Sequence, residues 1–162
     1  MLSRIQKLYS NVDMFSIVSN LDTYFSKGYF PDFESVQQVE KKQKGNYFST
    51  VYNIRFKKIL PRIIMSLLPL GLFQQMSNYT ETSIWYPKTR HYTFELECPH
   101  FYQSRGTVQF KGLQSVHLEM DFHLTRDLPC KKWIENTITP FIADKYLETL
   151  TSIDKKLIHG KS

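Results

Sequence analysis

The stretch Ser115-Val116-His117-Leu118-Glu119-Met120-Asp121-Phe122-His123-Leu124 alternates apolar and polar residues without a break. In an extended chain successive side chains point to opposite faces, so Val116, Leu118, Met120, Phe122 and Leu124 share one side and His117, Glu119, Asp121 and His123 the other. Residues 114–125 therefore read as a strand with one face on a core and one in water. The segments before it obey the same period, over 76–86, 91–98 and 104–113, joined by Pro87-Lys88-Thr89-Arg90, by Pro99-His100 and near Gly112. Tyr92, Phe94, Leu96 and Cys98 share a face of one, and Gly106, Val108 and Phe110 a face of the next. Four such segments joined by short connections predict an antiparallel meander with a single apolar surface.

Further out, 46–57 is another strand, with Phe48, Thr50, Tyr52, Ile54 and Phe56 together, preceded by a short strand over 34–40. Residues 3–9 suit a first strand. Asn11 to Ser26 carries Met14, Phe15, Ile17, Val18, Leu21 and Phe25 at helical spacing, one or two short helices ended by Gly28 and Pro31. After Pro129 the period becomes helical again, through Ile134, Ile138, Phe141, Ile142, Leu147, Leu150, Ile153 and Leu157. Pro140 suits a first helical position with Thr139 as N-cap, which places the main helix from about Thr139; an earlier start with a kink is the alternative. Either way the stripe must lie on the apolar face of the sheet, an α+β arrangement.

The 162 residues make one domain, 1–162, with 41% hydrophobic and 22% charged residues, which excludes disordered and low-complexity classes. The net charge of +6 and pI near 9.2 are compatible with an acidic partner, but the basic residues are dispersed and the rings lie on apolar faces rather than among them. No nucleic-acid partner is expected. Cys98 and Cys130 have neither redox nor zinc spacing, and neither a signal peptide nor an apolar run of about 18 residues is visible, so a reduced, cytoplasmic setting is expected. The aromatic content, 12 Phe, 10 Tyr and 2 Trp, demands a broad core or an apolar guest.

This order of elements resembles the START-like superfamily, also known as SRPBCC or the polyketide cyclase and birch-pollen-allergen family. The resemblance runs from about Ser3 to His159. It is carried by Val12 to Phe25 as paired helices, Tyr79-Thr80-Glu81-Thr82-Ser83-Ile84-Trp85 as a central strand and Phe141 to Ile158 as the last helix. It is closest to a bacterial branch of unassigned function with a Pro-bounded apolar segment, here Leu60 to Leu72. The resemblance implies a helix-grip fold, a curved antiparallel sheet of about seven strands around the C-terminal helix, and a role in binding, carrying or sensing a hydrophobic molecule such as a lipid, sterol, quinone or polyketide. The alternative is a cyclase- or hydratase-type enzyme in the same cavity.

A dry void of about 300 Å³ would cost on the order of 7 kcal/mol, comparable with the stability of a whole domain. The interior must therefore be filled by rings, water or a guest. The residues expected to line it are Phe48, Tyr52, Ile54, Phe94, Leu96, Val108, Phe110, Leu118, Met120 and Phe122 from the sheet, with Ile138, Phe141 and Ile142 from the helix. Strand 76–86 does not declare its inner face, because Tyr79, Glu81, Ser83 and Trp85 compete with Thr80, Thr82 and Ile84. With Trp85 inward, Glu81 is a carboxyl in an apolar pocket, able to act as general base or to bind a ligand hydroxyl. With Trp85 outward, Glu81 pairs with a neighbouring cation. Residues 58–73 have two readings, a lid or membrane-dipping element and a short helix covering the sheet end. His117, Glu119, Asp121 and His123 are expected to face water, and neither a metal nor another cofactor is indicated.

Overall fold

The computed structural model describes residues 2–8, 14–57, 76–111 and 115–159. The expectations for 58–73 lie outside them. The elements are β1 (Leu2–Leu8), α1 (Met14–Val18), α2 (Leu21–Ser26), β2 (Phe33–Lys44), β3 (Tyr47–Phe56), β4 (Asn78–Tyr86), β5 (His91–Cys98), β6 (Tyr102–Lys111), β7 (Ser115–Leu124) and α3 (Lys131–His159). The strands form one curved antiparallel sheet in the order β1-β7-β6-β5-β4-β3-β2, so that β1 closes onto β7. The paired helices sit between β1 and β2 in the chain, and α3 packs on the inner face against β1 and β7.

Register places the side chains in rows across the concave face. One row runs Phe48, Trp85, Tyr92, Val108, Leu118 and Ile5; a second runs Thr50, Ser83, Phe94, Gly106, Met120 and Ser3; a third runs Tyr52, Glu81, Leu96, Ser104 and Phe122. From Ser83 to Ser3 the second row alternates small and large residues, which lets side chains interdigitate on a curved sheet. At Gly106 a Cβ would come within 2.5 Å of the Phe94 ring and 2.6 Å of the Glu119 carbonyl oxygen. Glycine is there so that the ring can lie on bare backbone. Gly106→Ala should therefore lower stability by about 1–3 kcal/mol through overpacking. An unchanged urea midpoint would show that the ring and backbone yield freely.

The outer face is wet. Glu119 and His123 are exposed and His117 and Asp121 partly so, with Arg4 Nε on Glu119 Oε2 at 2.9 Å and Arg105 Nε on Glu95 Oε1 at 3.2 Å.

Two expectations need correction. The helix starts at Lys131 and runs through Pro140, so Thr139 is not its cap. Thr139 is fully buried and its hydroxyl donates to the Glu135 carbonyl at 2.6 Å, a bond made within a helix already formed. The proline is tolerated because α3 is held on both sides of it: the Leu124 amide donates to Glu135 Oε1 at 2.7 Å, and Ile138, Ala143 and Leu147 are buried. Phe141 is 45% exposed and does not line the interior. A helix turns about 100° per residue, so seating Ile138 and Ile142 against the sheet swings the residue between Pro140 and Ile142 outward.

Candidate functional site

Strand β4 turns Tyr79, Glu81, Ser83 and Trp85 inward, all buried, and leaves Thr80, Thr82 and Ile84 outward. Glu81 is 5% exposed and sits between Tyr52 of β3 and Leu96 of β5. The Ser83 hydroxyl donates to its Oε1 at 2.9 Å, and the Tyr146 hydroxyl from α3 donates to the same oxygen at 3.2 Å. Tyr146 and Tyr92 share a hydrogen bond of 2.8 Å, and the Tyr146 ring stacks on Phe94 with centroids 4.8 Å apart. One carboxyl thus joins the sheet to the helix through a chain of hydroxyls.

Burial pushes the Glu81 carboxyl up to about 7, because an anion loses its hydration there; the bonds from Ser83 and Tyr146 pull the other way and only in part. Among the described residues no cation offsets the charge, and every neighbour that Glu81 influences is a tyrosine: Tyr52, Tyr79, Tyr92 and Tyr146. Burial drives all four phenols upward first; the Glu81 carboxylate comes second for Tyr79, Tyr92 and Tyr146, and after Asp22 for Tyr52, so they act as neutral donors.

The cavity that Glu81 borders is small, about 10 Å³, room for about one water. Its walls are Val18 and Leu21 from the paired helices, Phe33, Tyr52, Phe56 and Trp85 from the sheet, and Tyr146, Thr149 and Leu150 from α3. Rings fill the space around it: Trp85 stacks on Tyr92 at 4.1 Å and meets Phe15 edge-on at 5.8 Å, while its Nε1 donates to Thr50 Oγ1 at 2.8 Å.

Of the residues expected to line a pocket, Tyr52 borders this cavity. Ile54, Phe94, Leu96, Val108, Phe110, Leu118, Met120, Phe122 and Ile138 are buried in the surrounding core, and Phe48 and Ile142 are partly buried against it. The structure adds residues that sequence reasoning left out: Trp85 and Phe56, placed on strands yet not assigned to the pocket, and Tyr146, Phe33 and Leu21. Tyr146 had a readable signal, since it lies one turn beyond Ile142 on the buried stripe. Among the described residues no group of three or more His, Cys, Asp or Glu is placed to hold a metal, and no helix is long and apolar enough to cross a membrane. The Cys98 thiol is buried and pushed up to about 11 by burial, and Cys130 is exposed.

No family model matches the chain, and no curated protein matches it. Solved structures do. A Streptomyces aromatase/cyclase superposes with a TM-score of 0.62 at 12% identity, covering 100% of this chain and 94% of the other. A Thermus thermophilus protein gives 0.61 at 12% identity with full coverage of both, and a START superfamily protein from Mycobacterium smegmatis gives 0.52 at 14%, covering 97% of each. At such low identity the likeness is one of architecture, and it agrees with the strand order, the paired helices and the gripped α3: the chain has the START-like, helix-grip fold.

Proposed function

We propose that the protein binds a small hydrophobic molecule non-covalently between the sheet and α3, as a carrier or sensor. The observation that carries this reading is Glu81, a carboxyl buried with no cationic partner among the described residues, at the edge of a cavity walled by rings. A buried group of this kind weakens the fold, and such groups concentrate at sites of use. Because the cavity is now water-sized, a guest must displace part of the lining. Trp85 and Tyr146, two of the rings that wall the cavity beside Glu81, are the ones a guest would displace. That displacement costs free energy and holds affinity near the micromolar range. Fold likeness to an aromatase/cyclase and to a START superfamily protein is compatible with this reading and does not choose the ligand.

A second reading is favoured by one specific observation. A carboxyl at about 7, relayed to Tyr146 and Tyr92, has the proton affinity that a general acid or base needs at neutral pH. Under that reading the same site turns over a hydrophobic substrate.

Mass spectrometry of organic extracts from the purified protein, with melting-temperature shifts on a panel of fatty acids, sterols, quinones and small aromatic amines and alcohols, tests the first reading. A co-purifying molecule, or a shift of several degrees from one class, is the expected result. No extractable molecule and no shift from any class would overturn it. Turnover of a bound compound that is lost in Glu81→Gln while binding survives would favour the enzyme.

A further inference from the structure

Resting on the small-molecule reading above, we propose that the group Glu81 receives is the ammonium of an organic amine, so that the ligand is an apolar amine rather than a fatty acid, an alcohol or an uncharged lipid. The carboxyl shares its cavity with five rings, those of Phe33, Tyr52, Phe56, Trp85 and Tyr146. An aromatic face carries negative charge density and attracts a cation; rings combined with a carboxylate are the chemistry that recognises ammonium groups. A pocket for a neutral hydrocarbon has no use for a carboxyl, and a ligand carboxylate would face like-charge repulsion from this one.

The geometry agrees. Both protein donors, Ser83 and Tyr146, end on Oε1, and Oε2 accepts no hydrogen bond from a described residue. An ammonium is a compact charge with three donors. Its head is close to a water molecule in size, which is what the 10 Å³ space admits without moving a ring. The apolar body is the part that displaces the lining.

Among the described residues the surroundings supply no competing cation. The groups facing the carboxyl are Tyr52 from β3, Tyr79 and Ser83 from β4, Tyr92 from β5 and Tyr146 from α3. From α2, Asp22 lies beside the Tyr52 hydroxyl, 3.4 Å from it, and adds a second negative charge behind the ring. An incoming ammonium meets one carboxylate and five rings, with Asp22 behind one of them, and no basic side chain among these.

The test is a matched series by calorimetry: phenethylamine and decylamine, each against the alcohol of the same skeleton, on wild type and Glu81→Gln. Near pH 8 each amine should bind wild type at least about tenfold tighter than its alcohol. In Glu81→Gln that preference should fall to within about twofold, with an unchanged circular dichroism spectrum and a cooperative thermal transition showing that the variant is folded. If the variant does not fold, the wild type alone decides: the amine preference must shrink as pH falls below about 7, with alcohol binding unchanged. Amine and alcohol binding equally to wild type would overturn the ammonium assignment and leave the small-molecule reading standing. Binding of neither would overturn both.

Discussion

Glu81→Gln should make the protein more stable at alkaline pH and leave it nearly unchanged in acid. The native carboxyl, held up to about 7, keeps its proton when the unfolded chain, with its ordinary value of 4.5, has already released it. Between those values the native state binds more protons, so raising pH favours unfolding. The contribution is fully present below 4.5 and lost as pH rises through about 7, and the interval corresponds to about 3 kcal/mol. Glutamine keeps an oxygen for Ser83 and Tyr146 and cannot ionise. Urea unfolding of both proteins from about pH 4.5 to 8.5 should show curves within about 1 kcal/mol at the acid end and separated by about 2–3 kcal/mol at the alkaline end. Parallel curves across that range would mean that the carboxyl reaches water.

Trp85→Ala should cost more than other truncations on the sheet, about 3–5 kcal/mol. The indole is 2% exposed, stacks on Tyr92 at 4.1 Å and on Phe48 at 6.0 Å, and leaves the Thr50 hydroxyl without its donor when removed. For a chain of this size the melting temperature should fall by about 8–16 °C. Trp85 also walls the Glu81 cavity, so its removal opens an apolar space continuous with it. Added indole should recover part of the lost melting temperature by refilling that space. A loss below about 1 kcal/mol, or no recovery, would show that neighbouring rings collapse inward. Fluorescence gives an independent check, because Trp133, the remaining tryptophan, is 55% exposed and should emit as a solvated indole.

The strands were legible where one face was uniformly apolar. In β7 every second residue from Val116 to Leu124 is buried, and in β5 Tyr92, Phe94, Leu96 and Cys98 are, as alternation requires. Strand β4 was ambiguous because its inner row includes Glu81 and Ser83 while its outer row includes Ile84. Hydrophobicity alone does not orient such a strand; its neighbours do, with Tyr52 and Leu96 flanking Glu81. The START-like likeness was legible in the order of elements, and the cavity walls were not. Leu21, Phe33, Trp85 and Tyr146 meet from four parts of the chain, a proximity that no periodicity records. The earlier helix start stood only as the alternative, because a proline read locally outweighed the burial of Ile138 and Thr139 before it.

The strand order carries a kinetic consequence. Strands β2 to β6 each pair with the strand that follows them in the chain, whereas β1 must wait for β7, with Leu2 opposite Asp121. During synthesis the first strand emerges long before its partner exists and passes that interval as an unmatched edge. Arg4, Gln6 and Lys7 along it keep that edge soluble until β7 arrives to pair with it.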